Sequence, residues 1–194
     1  MMTHKDTKSL DRVFLAIPIE ASAQPVIAAF QSRLAESLGK LRWVRPDTLH
    51  LTLQFFGRTT EENLEKIKAS MLSVGLRSKP FNVTISGLGV FPNLRRPRVL
   101  WMGFQPEEPL KELHALWTQA LLQAGLAIEN KSFSPHLTIG RFRQGESGSE
   151  RRLTELAKSV PVVALTVNKL VLYESHLKAQ GAEHIPIHQV KLGD

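Results

Sequence analysis

The chain has 194 residues, 42% of them hydrophobic and 22% charged, with 25 Lys and Arg against 18 Asp and Glu for a net charge of +7. These values suit a folded chain with a sizeable core, exclude extensive disorder, and favour an anionic partner, nucleic acid before a membrane surface. Cysteine is absent, which excludes disulfides, thiolate zinc sites and a thiol nucleophile, and fits a reducing compartment.

Residues 1–11 read as a polar leader without the apolar segment of a signal peptide. No apolar run approaches the roughly 20 residues of a membrane helix, so a cytoplasmic protein without membrane contact is expected. Arg12 to Ile17 is a buried-type strand stopped by Pro18. Pro25 to Leu38 carries Ile27, Phe30, Leu34 and Leu38 near helical spacing, with Gly39 as its stop. Arg42 to Arg45 reads as a short strand, and Pro46-Asp47 turns into a strand over Leu49–Gly57. Thr59 with Glu62 offers a capping box for a helix whose stripe is Leu64, Ile67, Met71 and Leu72. Strands follow at Phe81–Leu88 and Val99–Phe104. A helix with Leu110, Leu113, Trp117 and Leu121 ends at Gly125.

Pro135 to Arg141 reads as another strand, followed by a Gly/Ser/Glu loop at 144–150. A short helix carries Leu153, Leu156 and Val160. Val162 to Tyr173 reads as one long strand region, and Glu183 to Val190 as a last strand, at an edge because of Pro186. The strand-to-strand steps are mostly too short for parallel crossovers. The expected fold is therefore α+β, with two similar lobes of mostly antiparallel sheet and helices on the outside. No linker separates the lobes, so one domain over 1–194 is expected, as a monomer.

The chemistry concentrates in a phrase that occurs twice. His50-Leu51-Thr52-Leu53 and His136-Leu137-Thr138-Ile139 each sit in strand-like sequence, nearly half the chain apart. On a strand, residues i and i+2 share a face and lie about 6.6–6.8 Å apart. His50 and Thr52 therefore face one way, as do His136 and Thr138, while Leu51, Leu53, Leu137 and Ile139 face a core. Imidazole has an unperturbed pKa of about 6.5, so one ring can be base while the other is acid. Such a pair suits in-line substitution at phosphorus, where one group deprotonates water and the other protonates the leaving oxygen. The threonine hydroxyls would hold non-bridging oxygens.

Arg141 lies on the opposite face of an ideal strand, and a bend at Gly140 would return it to the site. The nearest acids are Asp47, Glu61, Glu129 and Glu146, too few for a two-metal hydrolase; no metal or cofactor is expected. The remaining histidines, His4, His114, His176, His184 and His188, read as structural or exposed, with His184 and His188 sharing a strand face. Trp43 and Trp101 read as core rather than as base-stacking platforms. Arg95, Arg96 and Arg98 crowd one turn, as a solvated loop or as a contact with an RNA backbone.

The two His-Leu-Thr segments resemble the signature motifs of the 2H phosphoesterase superfamily. Arg12 to Ile17, Phe56-Gly57, Phe91-Pro92, Pro97 to Trp101 and Leu172 to Ser175 resemble, within it, the RNA 2′,3′-cyclic phosphodiesterases, long called 2′-5′ RNA ligases. Phe56 stands where that family often has Leu, a conservative change. The resemblance implies two lobes flanking a central cleft and metal-independent opening of an RNA-terminal 2′,3′-cyclic phosphate to a 2′-phosphate, with weak 2′-5′ ligation as a side activity. It also implies His50 as proton donor, His136 as proton acceptor, and Thr52, Thr138 and Arg141 as phosphate contacts. Two other readings stand beside it. One is a related enzyme acting on another cyclic phosphate or on 2′,5′ linkages; the other is a non-catalytic RNA-binding protein, against which the intact pairs of histidine and threonine argue.

Overall fold

The computed structural model describes residues 9–39, 41–128, 132–143, 150–179 and 181–193. Most of the polar leader, including His4, lies outside the described residues, as do Glu129, Glu146 and nearly all of the 144–150 loop.

The first strand, β1 (Ser9–Pro18), leads into α1 (Gln24–Leu38), which opens with Pro25 in its first turn. Its side chains Ile27, Phe30 and Leu34 are buried at helical spacing. Gly39 ends it with φ +74, a left-handed conformation that glycine adopts without steric cost. A two-residue strand β2 (Arg42–Trp43) and one 3-10 turn (Pro46–Thr48) lead to β3 (His50–Thr60). Helix α2 (Glu61–Arg77) is capped by Thr60, whose hydroxyl accepts from the Asn63 amide, and not by Thr59. Thr59 is buried and donates to the Gly57 carbonyl, because β3 runs three residues further than its apolar pattern indicates.

The hairpin of β4 (Phe81–Phe91) and β5 (Val99–Gln105) precedes α3 (Glu108–Gln123), then β6 (Leu137–Arg141) and α4 (Glu150–Ala157). The expected long strand from Val162 is two strands, β7 (Val163–Val167) and β8 (Lys169–Lys178), followed by β9 (Gly181–Lys191). The break at Asn168 is where the chain leaves one sheet for the other, and the Asn168 carbonyl accepts from Leu192.

Two sheets result, four strands in the order β3-β1-β8-β9 and five in the order β2-β6-β5-β4-β7. Every pairing is antiparallel. Each sheet contains one of the repeated motifs, and β3 and β6 lie against each other. Helix α2 packs on β3, β8, β9 and α3, while α4 packs on β4 and α1. The fold is α+β, as expected. Leu51 and Leu53 of β3 join Leu137 and Ile139 of β6 in the hydrophobic core, together with Trp117, Phe30 and Phe104. A polar side chain also ties this framework together: buried Gln31 of α1 donates to the Val44 carbonyl (2.8 Å) and the Ile139 carbonyl (2.9 Å). That bridge ties α1 to the strand bearing the second motif.

Candidate active site

With the leucines held in the core, strand alternation sends His50, Thr52, His136 and Thr138 the other way. All four line one cavity of about 710 Å³. The two histidines are held by the same device. His50 Nδ1 lies 2.7 Å from the Thr48 carbonyl, and His136 Nδ1 lies 2.8 Å from the Ser134 carbonyl. A carbonyl only accepts, so each Nδ1 carries the hydrogen and Nε2 is left for chemistry.

Arg141 lines the same cavity, by a route different from a bend at glycine. In the β5–β6 ladder Leu100 pairs with Gly140 and Trp101 with Thr138, so Ile139 is an extra residue on β6. This bulge reverses the alternation and brings Arg141 to the face of Thr138. Gly140 has a separate role: a Cβ there would lie 3.2 Å from the Trp43 ring, so its absence lets the indole rest on the strand.

The surroundings of the two rings differ. His50 lies in an aromatic group with Phe14 (ring centroids 4.8 Å), His184 (5.0 Å, edge-on) and Tyr173 (6.5 Å). Burial is the main cause that pushes its pKa down to about 4, opposed by the Thr48 carbonyl and reinforced by His184, Arg141 and His136. His136 instead meets the edge of Phe91 at 5.0 Å and lies 6.5 Å from Trp101.

His184 is the site residue that sequence reasoning missed. It lines the cavity, and burial first and then Arg12 hold its pKa below the ordinary value. It also does not share a face with His188. Along β8–β9, Leu172 pairs with His188 but Tyr173 with Pro186, so an extra residue at Ile187 reverses the alternation between the two histidines. The signal available in the sequence was His184 two residues before Pro186 on an edge strand, but the bulge cannot be read from alternation.

Trp43 lines the cavity rather than lying wholly in the core. Trp101 packs flat on Gly89, where a Cβ would collide with its ring, and its indole nitrogen is buried. His114 stacks on Phe133 at 4.1 Å, and His176 pairs with Glu174. Arg95, Arg96 and Arg98 are exposed on the β4–β5 loop, outside the residues lining the cavity. The loop adjoins the end of β6, where the Arg98 carbonyl accepts from Phe142. Among the described residues no group of three or more His, Asp or Glu is placed to hold a metal ion, and no helix is long and apolar enough to cross a membrane.

Two antiparallel sheets meeting at paired histidines define a LigT-like α+β protein. Its structure is similar to that of TT0787 of Thermus thermophilus (TM-score 0.74, 26% identity, covering 94% of this chain and 98% of that one). It is similar as well to that of E. coli LigT complexed with 3′-AMP (TM-score 0.72, 27% identity, covering 95% and 99%). In sequence, the chain is 30% identical over 173 residues to an RNA 2′,3′-cyclic phosphodiesterase of Methanothermobacter thermautotrophicus, covering 88% of this chain and 92% of that one. It is also 30% identical over 167 residues to one of Geobacillus stearothermophilus, covering 85% of this chain and 52% of that relative, so it spans about half the latter's length. Residues 18–179 match the model of the 2′-5′ RNA ligase superfamily. The chain belongs to that superfamily, and it is an enzyme of it.

Proposed function

We propose that the protein hydrolyses an RNA-terminal 2′,3′-cyclic phosphate to a 2′-phosphate by acid–base catalysis between two histidines, without a metal. The observation that carries this reading is the repeated one: two imidazoles in one cavity, each with Nδ1 committed to a carbonyl and Nε2 free. The names of the relatives supply the substrate class.

In this mechanism water attacks phosphorus as His136 Nε2 takes its proton. The bond from phosphorus to O3′ breaks, and His50 Nε2–H gives O3′ a proton, leaving a free 3′ hydroxyl and a 2′-phosphate. Thr52 and Thr138 donate to the non-bridging oxygens, and Arg141 supplies a positive charge as negative charge grows there. Before substrate binds, His50 is neutral at pH 7, because burial holds its pKa down to about 4. The anionic substrate opposes the surrounding positive charges, so His50 acquires its proton together with the substrate. With a 5′ hydroxyl in place of water as the attacking group, the same proton transfers join it to phosphorus as the bond to O3′ breaks, giving the weak 2′-5′ ligation.

The low pKa of His50 also favours one second reading, in which His50 is the base and His136 the acid. A phosphodiester with an aryl leaving group separates the two, because that leaving group needs no proton. The variant lacking the acid then recovers activity, and the variant lacking the base does not.

The main test is incubation with a mononucleoside 2′,3′-cyclic phosphate in EDTA, with the product isomer identified. Turnover to the 2′-phosphate, lost in both His50→Ala and His136→Ala, is expected. Activity that depends on added metal, or full activity in either variant, refutes the mechanism.

A further inference from the structure

We infer that Arg12 forms a second anion subsite, which takes the phosphate on O5′ of the terminal nucleotide and so selects an RNA chain end over a free nucleoside cyclic phosphate. The inference rests on the phosphodiesterase reading above and extends it to the second phosphate of the same substrate.

Among the described residues the cavity is lined by Arg12, Arg42, Arg45, Arg141 and Lys178 and by no carboxylate. Arg45 is paired with Asp47, and Lys178 with Glu183. Arg42 stands opposite Arg141 in the β2–β6 ladder, on the side of the second motif. Arg12 is the cation left on the side of the first motif. It is exposed, and among the described residues its side chain makes no hydrogen bond or ion pair.

Its backbone is unusual. Arg12 has φ +54, the one positive φ among described residues other than glycine. That conformation is disfavoured for an L-residue and persists where the surrounding structure imposes it, often at a functional site. Here a bulge imposes it: β1 pairs Leu10 with Thr59 and Val13 with Gly57, setting Asp11 and Arg12 against the single residue Arg58. Bulges re-aim side chains, and this one accompanies an arginine in the cavity wall.

The location separates this charge from the reacting phosphate. His184 contacts His50 edge-on at 5.0 Å, and Arg12 in turn acts on His184 through its charge. Arg12 thus acts on the imidazole packed against His50 and is absent from the charges that act on His50 itself, so within the shared cavity we assign it to the neighbouring phosphate and not to the reacting one. Phe55 (55% exposed) and Leu177 (70% exposed) line the same cavity and offer apolar surface for a base or sugar between the two phosphates.

The test compares three substrates, a nucleoside 2′,3′-cyclic phosphate, its 5′-phosphorylated form and a dinucleotide ending in the cyclic phosphate, on wild type, Arg12→Gly and Arg12→Lys. Glycine accepts the positive φ, so Arg12→Gly removes the guanidinium while relieving the backbone. We expect wild type to prefer the dinucleotide by about tenfold in kcat/KM, the scale of one charge-assisted hydrogen bond. Arg12→Gly should erase most of that preference with an unchanged or raised Tm, and Arg12→Lys should keep part of it. The salt dependence of log KM for the dinucleotide should flatten by about 0.7 in slope, one phosphate contact on a single strand. Equal preference for the 5′-phosphorylated nucleoside would support the subsite and assign it to any O5′ phosphate. Equal loss on all three substrates, a surviving preference, or a fallen Tm overturns the inference while leaving the phosphodiesterase reading intact. Wild type inactive on all three overturns both.

Discussion

The strands β3 and β6 carry nearly the same four residues, bind their histidines to carbonyls in the same way, and yet give those histidines different environments. His50 begins an eleven-residue strand and is enclosed by Phe14, Tyr173 and His184. His136 immediately precedes a five-residue strand and meets the edge of Phe91. The motif thus specifies which ring nitrogen is available, while the surrounding sheet specifies what each ring packs against. A repeated motif can therefore stand in two distinct environments without any change in the motif itself.

The largest test of this comparison is catalytic. His50→Ala and His136→Ala should each lower kcat by about 10²–10⁴-fold, as expected for the loss of one acid or base. They should differ in the limb of the pH–rate profile that disappears. If the same limb disappears from both, the two environments are catalytically equivalent and the comparison fails.

The next test is pH stability. His50 has a folded value of about 4 against 6.5 ordinarily, so the unfolded chain takes up this proton first as pH falls. Stability present above about 6.5 should be lost progressively down to about 4 and then level off, by on the order of 3 kcal/mol. Urea unfolding of wild type and His50→Gln across that window measures it. Parallel curves would remove the burial argument.

A smaller effect is expected at Gln31→Leu, which strips a hydrogen bond from the Val44 and Ile139 carbonyls. A loss of about 1–3 kcal/mol is expected, together with raised KM because Thr138 adjoins Ile139. An unchanged KM would confine Gln31 to the framework. The smallest effect concerns the basic loop: replacing Arg95, Arg96 and Arg98 together should raise KM for an oligonucleotide by more than for a mononucleotide. An equal change in both would show that the loop does not meet the RNA backbone.

Much of this architecture is legible from residue patterns, and the failures have a shared cause. Alternation identified the core leucines of both motifs and the outward turn of His50 and Thr52, because His50 to Thr52 pairs in step with Pro18 to Ala16 and the extra residue on β3 comes only after them, at Leu53. It misjudged Arg141, His184 and His188 at the points where one strand has an extra residue, at Ile139 and Ile187. A bulge is set by the partner strand, and a single segment carries no record of its partner. Gln31 was invisible for a related reason: its two acceptors are carbonyls, one of them distant in sequence. The Thr59 cap was displaced by one residue because β3 continues through polar positions that its apolar pattern does not cover.

The crossing at Asn168 has a consequence for the order of assembly. The five-stranded sheet uses β2 and then only the middle of the chain, through β7, whereas the four-stranded sheet joins β1 and β3 to the last two strands. During synthesis from the N-terminus, the sheet of His136 can close while the sheet of His50 still awaits β8 and β9. Until then, Phe14 lacks Tyr173 and His184, and His50 lacks the enclosure that lowers its pKa. A nascent chain would thus hold one finished half-site beside an open one, and full activity would arrive only with the final hairpin.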